Sequence, residues 1–331
     1  MQEIQHSMLQ VSISQLTTFR WDLHQEIARA AAHGFDCLSL WRPKLSDVGP
    51  AAAATLIADA GLRVSSLQWA GGFTGGDGRS LADSIDDAVD AIEAAATLAA
   101  PTVVIHSGGR GGHTKAHARR LLMEALETLA PIARAAGVTL ALRPLHAAAA
   151  GDCSFLAQPG EAVEIVEQLA DPAIRLALDL WQFGDDADLS RLLPRLAAAA
   201  ATVQVADRVG PPTFELERLP AGRGALPLQS LVLDLVDHGY EGGLEFDPVG
   251  AEVATLGYDA VLEETRDTAQ RLNDAVEQRL RWHHATTAVW QTASLRSAAG
   301  PAATTPRRVE LQFRSAGSRR SQASSQTVSR G

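Results

Sequence analysis

Residues 174–207 read IRLALDLWQFGDDADLSRLLPRLAAAAATVQVAD and hold one complete unit of the pattern that decides the fold. The apolar runs IRLALDL at 174–180 and TVQVAD at 202–207 have the length of strands that are buried on both faces. Residues 187–200 between them carry leucines at helical spacing. A strand, a helix and a second strand in this order are typical of parallel strands joined by a helical crossover.

The same unit recurs along most of the chain. Eight apolar runs predict strands, and eight segments with helical spacing alternate with them. The predicted strands are 9–14, 35–41, 62–69, 102–107, 138–142, 174–180, 202–207 and 243–247, and the predicted helices are about 22–33, 47–60, 80–99, 115–136, 159–170, 187–200, 226–238 and 251–278. Eight such pairs predict a single α/β domain, a (β/α)8 TIM barrel.

The rival architecture is a doubly wound open sheet, which usually carries a glycine-rich phosphate loop after its first strand. Here the first strand is followed by QLTTFR at 15–20, which contains no glycine. A glycine-rich stretch does occur later in the chain, GGRGG at 108–112, but it lacks the Lys-Ser or Lys-Thr ending of a P-loop. We therefore favour the barrel and expect no nucleotide cofactor.

Composition bounds the class of protein. The chain has 331 residues, 46% of them hydrophobic, and only two cysteines, which rules out a disulfide scaffold. It contains no run of about 18 apolar residues and no signal-peptide layout at its start, so we expect a cytoplasmic protein that does not enter a membrane.

Charge divides the chain into two parts. Residues 279–331 hold nine arginines against one glutamate, so this segment carries +8 and the rest carries −18 of the net −10. The acidic body argues against a nucleic-acid partner. We predict an N-terminal extension at 1–8, the barrel at 9–278 and a basic Ser/Arg-rich tail at 279–331 that is disordered, because it has no sustained apolar period. An arm that binds an anionic partner is the alternative for the tail.

Polar residues that close the strands are the candidates for function, because barrel enzymes carry their chemistry there. Asp179 and Glu245 follow apolar runs, and two buried carboxylates need a metal, a proton or an arginine between them. Local capping is the alternative for both. The remaining strand-end candidates are Trp41, Gln68, Trp69, His106, Ser107, Arg143, His146, Gln182, Gln204, Asp207, Arg208 and Asp247, with Arg218 in the loop after the seventh strand.

Several of these residues have a structural alternative. His106 and His146 are each either a satisfied structural histidine or a second acid. Trp41 and Trp69 are either core residues or the apolar wall of a sugar pocket. Asp207 and Arg208 form either a surface ion pair or part of an anion site, because an arginine directly after a strand can bind a carboxylate or phosphate in a bidentate way.

Residues 9–275 resemble the xylose isomerase-like barrels known as sugar phosphate isomerases/epimerases. The motifs that carry the resemblance are TFRW at 18–21, LWR at 40–42, SGG at 107–109, LALRPLH at 140–146, LD at 178–179, QVADR at 204–208, RLP at 218–220 with GRG at 222–224, and GYEG at 239–242 leading into LE at 244–245. The resemblance implies a TIM barrel that acts on a sugar, sugar acid or cyclitol.

The resemblance also implies one divalent metal (Mn, Mg or Zn) held by Glu, Asp, His and Glu at four strand ends, with the two glutamates moving the proton. These positions fall on Arg143, Asp179, Gln204 and Glu245. An amide oxygen at Gln204 can still bind a hard cation, but Arg143 brings a permanent positive charge to the place of the cation. We therefore expect Arg143 to replace the metal and bridge Asp179 and Glu245. The alternative is that Arg143 turns aside and leaves a weak site of Asp179, Gln204 and Glu245.

Two functions follow. The first is an isomerase or epimerase with Glu245 as base and His106 or His146 as second acid. Its substrate would contact Trp41, Trp69, Arg143, Gln182, Asp207, Arg208 and Arg218. The second is a non-catalytic relative that binds a sugar or sugar phosphate without metal. The partner in either case is a small carbohydrate, and the sequence leaves a homo-oligomer open.

Overall fold

The computed structural model describes residues 9–298, and their side chains as far as residue 283. Eight parallel strands close into a barrel in chain order, with Val11 of β1 in register with Leu244 of β8 and the Leu244 N–H donating to the Gln10 carbonyl at 2.8 Å. The strands are β1 (Val11–Ser14), β2 (Cys37–Trp41), β3 (Arg63–Gly71), β4 (Thr102–His106), β5 (Thr139–Leu142), β6 (Ile174–Asp179), β7 (Ala200–Val205) and β8 (Gly243–Phe246). The predicted (β/α)8 TIM barrel is confirmed.

Helices follow the strands and cover the outside of the barrel. They are α1 (Leu23–Ala32), α2 (Arg42–Leu45), α3 (Pro50–Asp59), α4 (Leu81–Thr97), α5 (Lys115–Ala136), α6 (Ala147–Ala150), α7 (Pro159–Leu169), α8 (Leu180–Phe183), α9 (Leu189–Ala199), α10 (Leu228–Asp237), α11 (Ala251–Leu256) and α12 (Tyr258–Ala298). The short α2, α6 and α8 stand at the strand ends, where we predicted no helix, and the helix predicted at 251–278 is divided into α11 and α12 at Gly257. Among the described residues, no helix is long and apolar enough to span a membrane.

The apolar pattern that predicted the elements also forms the core. The outward faces of the strands and the inward stripes of the helices share one large buried cluster, to which Leu142 of β5, Leu178 of β6 and Leu196 of α9 belong. Where a helix turns back into a strand the chain needs a left-handed residue, and Gly137 supplies it after α5 with φ 70°.

The last helix differs from its prediction. We predicted that helix to end at 278 and the tail to begin at 279, but α12 continues to Ala298. Leu280 packs against the core, and Arg279 forms an ion pair with Asp237 at 2.6 Å, which favours helix at the predicted boundary. The predicted extension at 1–8 and residues 299–331 of the predicted tail lie outside the described residues.

Candidate active site at the carboxyl end of the barrel

A cavity of about 380 Å³ opens where the carboxyl ends of the strands meet. Apolar side chains form much of its wall, including Leu16, Leu145 and Leu216. Its polar lining includes His106 of β4, Arg143 after β5, Gln182 of α8, Arg218 from the β7–α10 loop and Asp247 after β8. The cavity has the size and mixed lining of a small-molecule site.

Four alternating charges lie at the floor of this cavity. Asp179 accepts from Arg143 Nη2 at 2.6 Å and from Arg218 Nη1 and Nη2 at 3.0 Å each. Arg218 Nη2 also donates to Asp247 Oδ1 at 2.6 Å, and Arg143 Nη2 lies 3.9 Å from Asp247 Oδ2. The cluster is neutral when both carboxylates are ionised and carries one positive charge when Asp247 is protonated.

The two carboxylates of this cluster have opposite pKa shifts. Burial by itself would raise the pKa of Asp179, but the charges of Arg218 and Arg143 outweigh it and hold this pKa well below its usual range. Burial raises the pKa of Asp247 to about 7, because Arg218 only partly offsets it and ionised Asp179 repels a second negative charge. Asp247 therefore changes its protonation state near neutral pH, while Asp179 stays ionised.

Glu245 occupies a sealed position beneath the cavity. Its side chain is fully buried and accepts from Ser66 Oγ at 2.7 Å, from Gln204 Nε2 at 2.8 Å and from Gln68 Nε2. Arg143 contacts Asp179 as predicted, but its second carboxylate is Asp247 and not Glu245. The predicted bridge to Glu245 is wrong because β8 points Glu245 into a layer of neutral donors inside the barrel.

These contacts do not fit the metal site that the resemblance implied. Both oxygens of Asp179 accept from guanidinium groups, and Gln204 turns its NH₂ rather than its oxygen toward Glu245. Asp179 is thus paired with two permanently charged guanidinium groups. Among the described residues, no group of three or more His, Cys, Asp and Glu side chains is arranged to hold a metal.

His106 lies between the cluster and the rim of the cavity. It is 6% exposed, its two ring nitrogens have no hydrogen-bond partner, and its ring stacks on Trp69 with centroids 5.1 Å apart. Burial, and then the charge of Arg143, lowers the pKa of His106 to about 3. The imidazole is therefore neutral at physiological pH and has one donor and one acceptor to offer a ligand.

The pKa of His106 predicts an acid-labile fold. Because this pKa is depressed on folding, the stabilisation is complete above pH 6.5 and is lost as the pH falls toward 3. Between pH 7 and pH 5, we expect His106 to account for about 2 kcal/mol of lost unfolding free energy. Urea denaturation at both pH values tests this, with His106→Gln as the variant that should lose that part of the pH dependence. An identical pH dependence in the variant would contradict it.

Asp207 and Arg208 have structural contacts instead of the predicted substrate contacts. Asp207 accepts from the backbone N–H groups of Arg208, Gly222 and Leu226 at 2.8–3.0 Å. Arg208 donates from Nε to the carbonyl of Trp181 at 2.6 Å and forms an ion pair with Asp185. Both residues therefore fasten the long β7–α10 loop, which carries Arg218, to the top of the barrel.

Removal of the Asp207 carboxylate should weaken this fastening. In Asp207→Ala, one buried and two partly buried N–H groups lose their acceptor, and we expect the unfolding free energy to fall by about 1–3 kcal/mol. The exposed carboxylate of Asp59 at the end of α3 provides the control, since Asp59→Ala should stay within about 0.5 kcal/mol of wild type. If Asp207→Ala and Asp59→Ala unfolded at the same urea concentration, the structural role of Asp207 would be contradicted and the predicted substrate contact would be favoured.

Of the remaining predicted residues, some line the cavity and others make contacts that hold the neighbouring backbone in place. Gln182 lines the cavity, and its Oε1 accepts from His146 N at 2.9 Å. The Nδ1 atom of His146 accepts from Ala148 N at 3.3 Å, so this histidine caps α6. Trp69 lines the cavity, whereas Trp41 ends β2 with its backbone N–H donating to Gln15 Oε1 at 2.7 Å.

Asp247 is a functional candidate to which the sequence analysis assigned no role, although it was named among the strand-end residues. Side chains two positions apart point to the same face of a strand, so Asp247 lies one layer above Glu245 along the barrel axis. This spacing was a usable signal, because a residue nearer the carboxyl end of a strand is nearer the mouth of the barrel.

The closed parallel barrel defines this chain as a TIM-barrel protein. Its buried ionisable residues gather at the carboxyl ends of the strands, where enzymes of this fold carry their active sites. The chain belongs to the xylose isomerase-like TIM barrel family, whose family model matches residues 27–272. No protein of curated function showed significant sequence similarity to it.

Solved structures share the fold. Protein SMc04130 from Sinorhizobium meliloti 1021 is 27% identical with a TM-score of 0.73, and the match covers 79% of this chain and 98% of that one. The IolI protein with a bound zinc atom is 18% identical with a TM-score of 0.71, covering 82% and 99%. An L-ribulose 3-epimerase is 19% identical with a TM-score of 0.68, covering 84% and 98%.

Proposed function

We propose that the protein is a metal-independent isomerase that moves a proton between neighbouring carbons of a hydroxycarbonyl sugar. The observation that carries the proposal is the position of Asp247, a carboxylate that lines the cavity together with the permanent guanidinium cation of Arg143 and the neutral imidazole of His106. Burial raises the pKa of Asp247 to about 7. A base that titrates near the working pH is the most effective catalyst of proton transfer.

Asp247 has one oxygen available for the proton. Its Oδ1 accepts from Arg218, whereas among the described residues the ion-pair contact of Oδ2 is Arg143 at 3.9 Å, which is beyond hydrogen-bond distance. Ionised Asp247 takes the proton from the carbon beside the carbonyl group, and the electron pair of the broken C–H bond moves onto the carbonyl oxygen. The hydroxyl group on that carbon passes its proton to the former carbonyl oxygen, and the electron pair of its O–H bond forms the new carbonyl bond. The electron pair of the carbon–carbon double bond then takes the proton from the carboxyl of Asp247 onto the former carbonyl carbon.

Arg143 and His106 stabilise the negative charge that forms on the sugar oxygens. Arg143 Nη1 has no partner among the described residues, and Arg143 lines the cavity, so this N–H group is left for a ligand oxygen. His106 is neutral and can donate an N–H to the second oxygen, since a neutral imidazole is an effective electrophile in enediolate chemistry. A fixed cation and a fixed donor stabilise developing charge without reorganising.

The comparisons support a sugar as the substrate. Proteins of this fold include the L-ribulose 3-epimerase, a D-psicose 3-epimerase studied with D-fructose and a 3-keto-D-glucoside 4-epimerase. The apolar walls and the Trp69–His106 stack suit a ligand with both C–H faces and hydroxyl groups.

Metal removal separates this proposal from metal-assisted catalysis. Purified protein treated with EDTA is incubated in D₂O with a panel of aldoses and ketoses that includes D-fructose, and NMR follows deuterium entering the carbon beside the carbonyl. We expect the exchange rate to be unchanged by EDTA and by added Mn²⁺. Exchange that appears only with Mn²⁺ would contradict the metal-independent mechanism.

A non-catalytic sugar-binding protein is the second candidate, and the sealed position of Glu245 together with Arg143 favours it. The same samples distinguish the two functions. Binding of a sugar by calorimetry without any deuterium exchange would support the binding protein and reject the isomerase.

A further inference from the structure

We infer that the substrate is an uncharged saccharide of more than one unit, whose second unit occupies an outer cavity beside the first. This inference rests on the proposed function, because the reacting unit is the one in the cavity over Arg143 and Asp247. The outer cavity, about 260 Å³ in volume, lies between the end of β3, the loop after β4 and the loop after α6.

The two cavities adjoin. Trp69, His106 and Cys153 line both of them, so a ligand that leaves the inner cavity past the Trp69–His106 stack enters the outer one. Trp69 is 38% exposed at this boundary, which leaves apolar surface for the C–H face of a sugar ring.

The unpartnered ring nitrogens of His106 indicate that a ligand binds at the boundary between the two cavities. A buried ring nitrogen without a hydrogen-bond partner is unfavourable, and His106 has two of them. A hydroxyl group satisfies the ring better than a charged group does, because it both donates and accepts while neutral imidazole needs one of each.

The charges of the outer cavity select against an anion. Asp77, Asp87 and Asp152 line it together with one cation, Arg79. That cation is already engaged, since Arg79 Nη2 donates to the Gly71 carbonyl at 2.7 Å and the guanidinium pairs with Asp77 and Asp87. Asp87 also pairs with Arg42 at 2.9 Å, so Asp152 is the carboxylate of this cavity without a cationic partner among the described residues. A phosphate group would meet this unpaired negative charge and no free cation, whereas a sugar hydroxyl can donate to it.

Three ligands that share one fructose unit test the inference by calorimetry on the full chain at pH 7.5. D-fructose has a free 6-hydroxyl, isomaltulose carries a glucose unit there, and fructose 6-phosphate carries a dianion. We expect isomaltulose to bind about tenfold more tightly than fructose, which is about 1.4 kcal/mol, and fructose 6-phosphate to bind more weakly than fructose.

Asp152→Lys provides the structural test, because Asp152 is an exposed residue of the outer cavity. We expect this variant to gain at least about fivefold in affinity for fructose 6-phosphate. Asp59→Lys, the same charge change at the end of α3, should change nothing.

The outcomes separate the two proposals. Fructose and isomaltulose binding equally, or both lysine variants behaving alike, would overturn the outer cavity and leave the isomerase proposal standing. If none of the three ligands binds, the outer-cavity inference fails, and the isomerase proposal fails with it only if the deuterium-exchange panel is also negative.

Discussion

Asp179→Ala should destabilise the protein by about 3–5 kcal/mol, because the substitution leaves two buried guanidinium groups without their shared partner. Asp179 is fully buried and accepts three hydrogen bonds from Arg143 and Arg218. Domains of this kind have unfolding free energies of about 5–15 kcal/mol, so the loss is a large fraction of the total.

Urea denaturation of Asp179→Ala and wild type measures this effect through the midpoint and the slope. The control is Glu167→Ala, which breaks the pair between Glu167 and Arg195, whose side chains are 48% and 39% exposed. Solvent screens this pair, so its loss should cost less than about 1 kcal/mol. If Asp179→Ala also stayed below that limit, Asp179 would not be the anchor of the two arginines.

The cost at Asp179 follows from how this buried carboxylate is neutralised. A buried carboxylate at a strand end must be neutralised, and either a cation or a guanidinium can do so. In this chain Arg143 comes from the end of β5 and Arg218 from the β7–α10 loop. The arginines remain charged at all accessible pH values, so the charge of the cluster of Arg143, Arg218, Asp179 and Asp247 changes when Asp247 gains or loses its proton.

The sequence predicted the barrel because the strands are short apolar runs that end at polar or glycine residues. The run IRLALDL, for example, is followed by WQFGDD. The sequence also predicted the Arg143–Asp179 contact, since both residues end neighbouring strands, β5 and β6. Such contacts between adjacent strand ends follow from the order of strands and need no further information.

The position of Arg218 could not be predicted in this way. The β7–α10 loop folds back over the barrel mouth, and its course depends on the bridges Asp207–Leu219 and Arg218–Val249. These bridges join residues that are distant in sequence, so local pattern carries no signal for them. The choice between Glu245 and Asp247 likewise depends on their depth along the barrel axis, which only the register of β8 against β1 and β7 settles.

Asp247→Asn should lower kcat/KM by about 10²–10⁴, because the variant keeps the shape of the side chain and loses the base. The amide oxygen can still accept from Arg218, so the fold should remain intact, which near-wild-type urea denaturation would confirm. Wild-type activity should rise with pH and level off above about pH 7, as Asp247 loses its proton. This rise, the pH limb of the activity profile, should be absent from the residual activity of Asp247→Asn.

Glu245→Gln is the matched control, since it makes the same carboxylate-to-amide change two residues away in the layer beneath the cavity. Its side chain touches Ser66, Gln68 and Gln204 and does not line the cavity, so we expect a rate within about tenfold of wild type and an unchanged pH limb. The two carboxylates thus give opposite expectations. If Glu245→Gln abolished deuterium exchange while Asp247→Asn retained it with the limb near pH 7, the base would be Glu245 and the barrel would have to open to let substrate reach it.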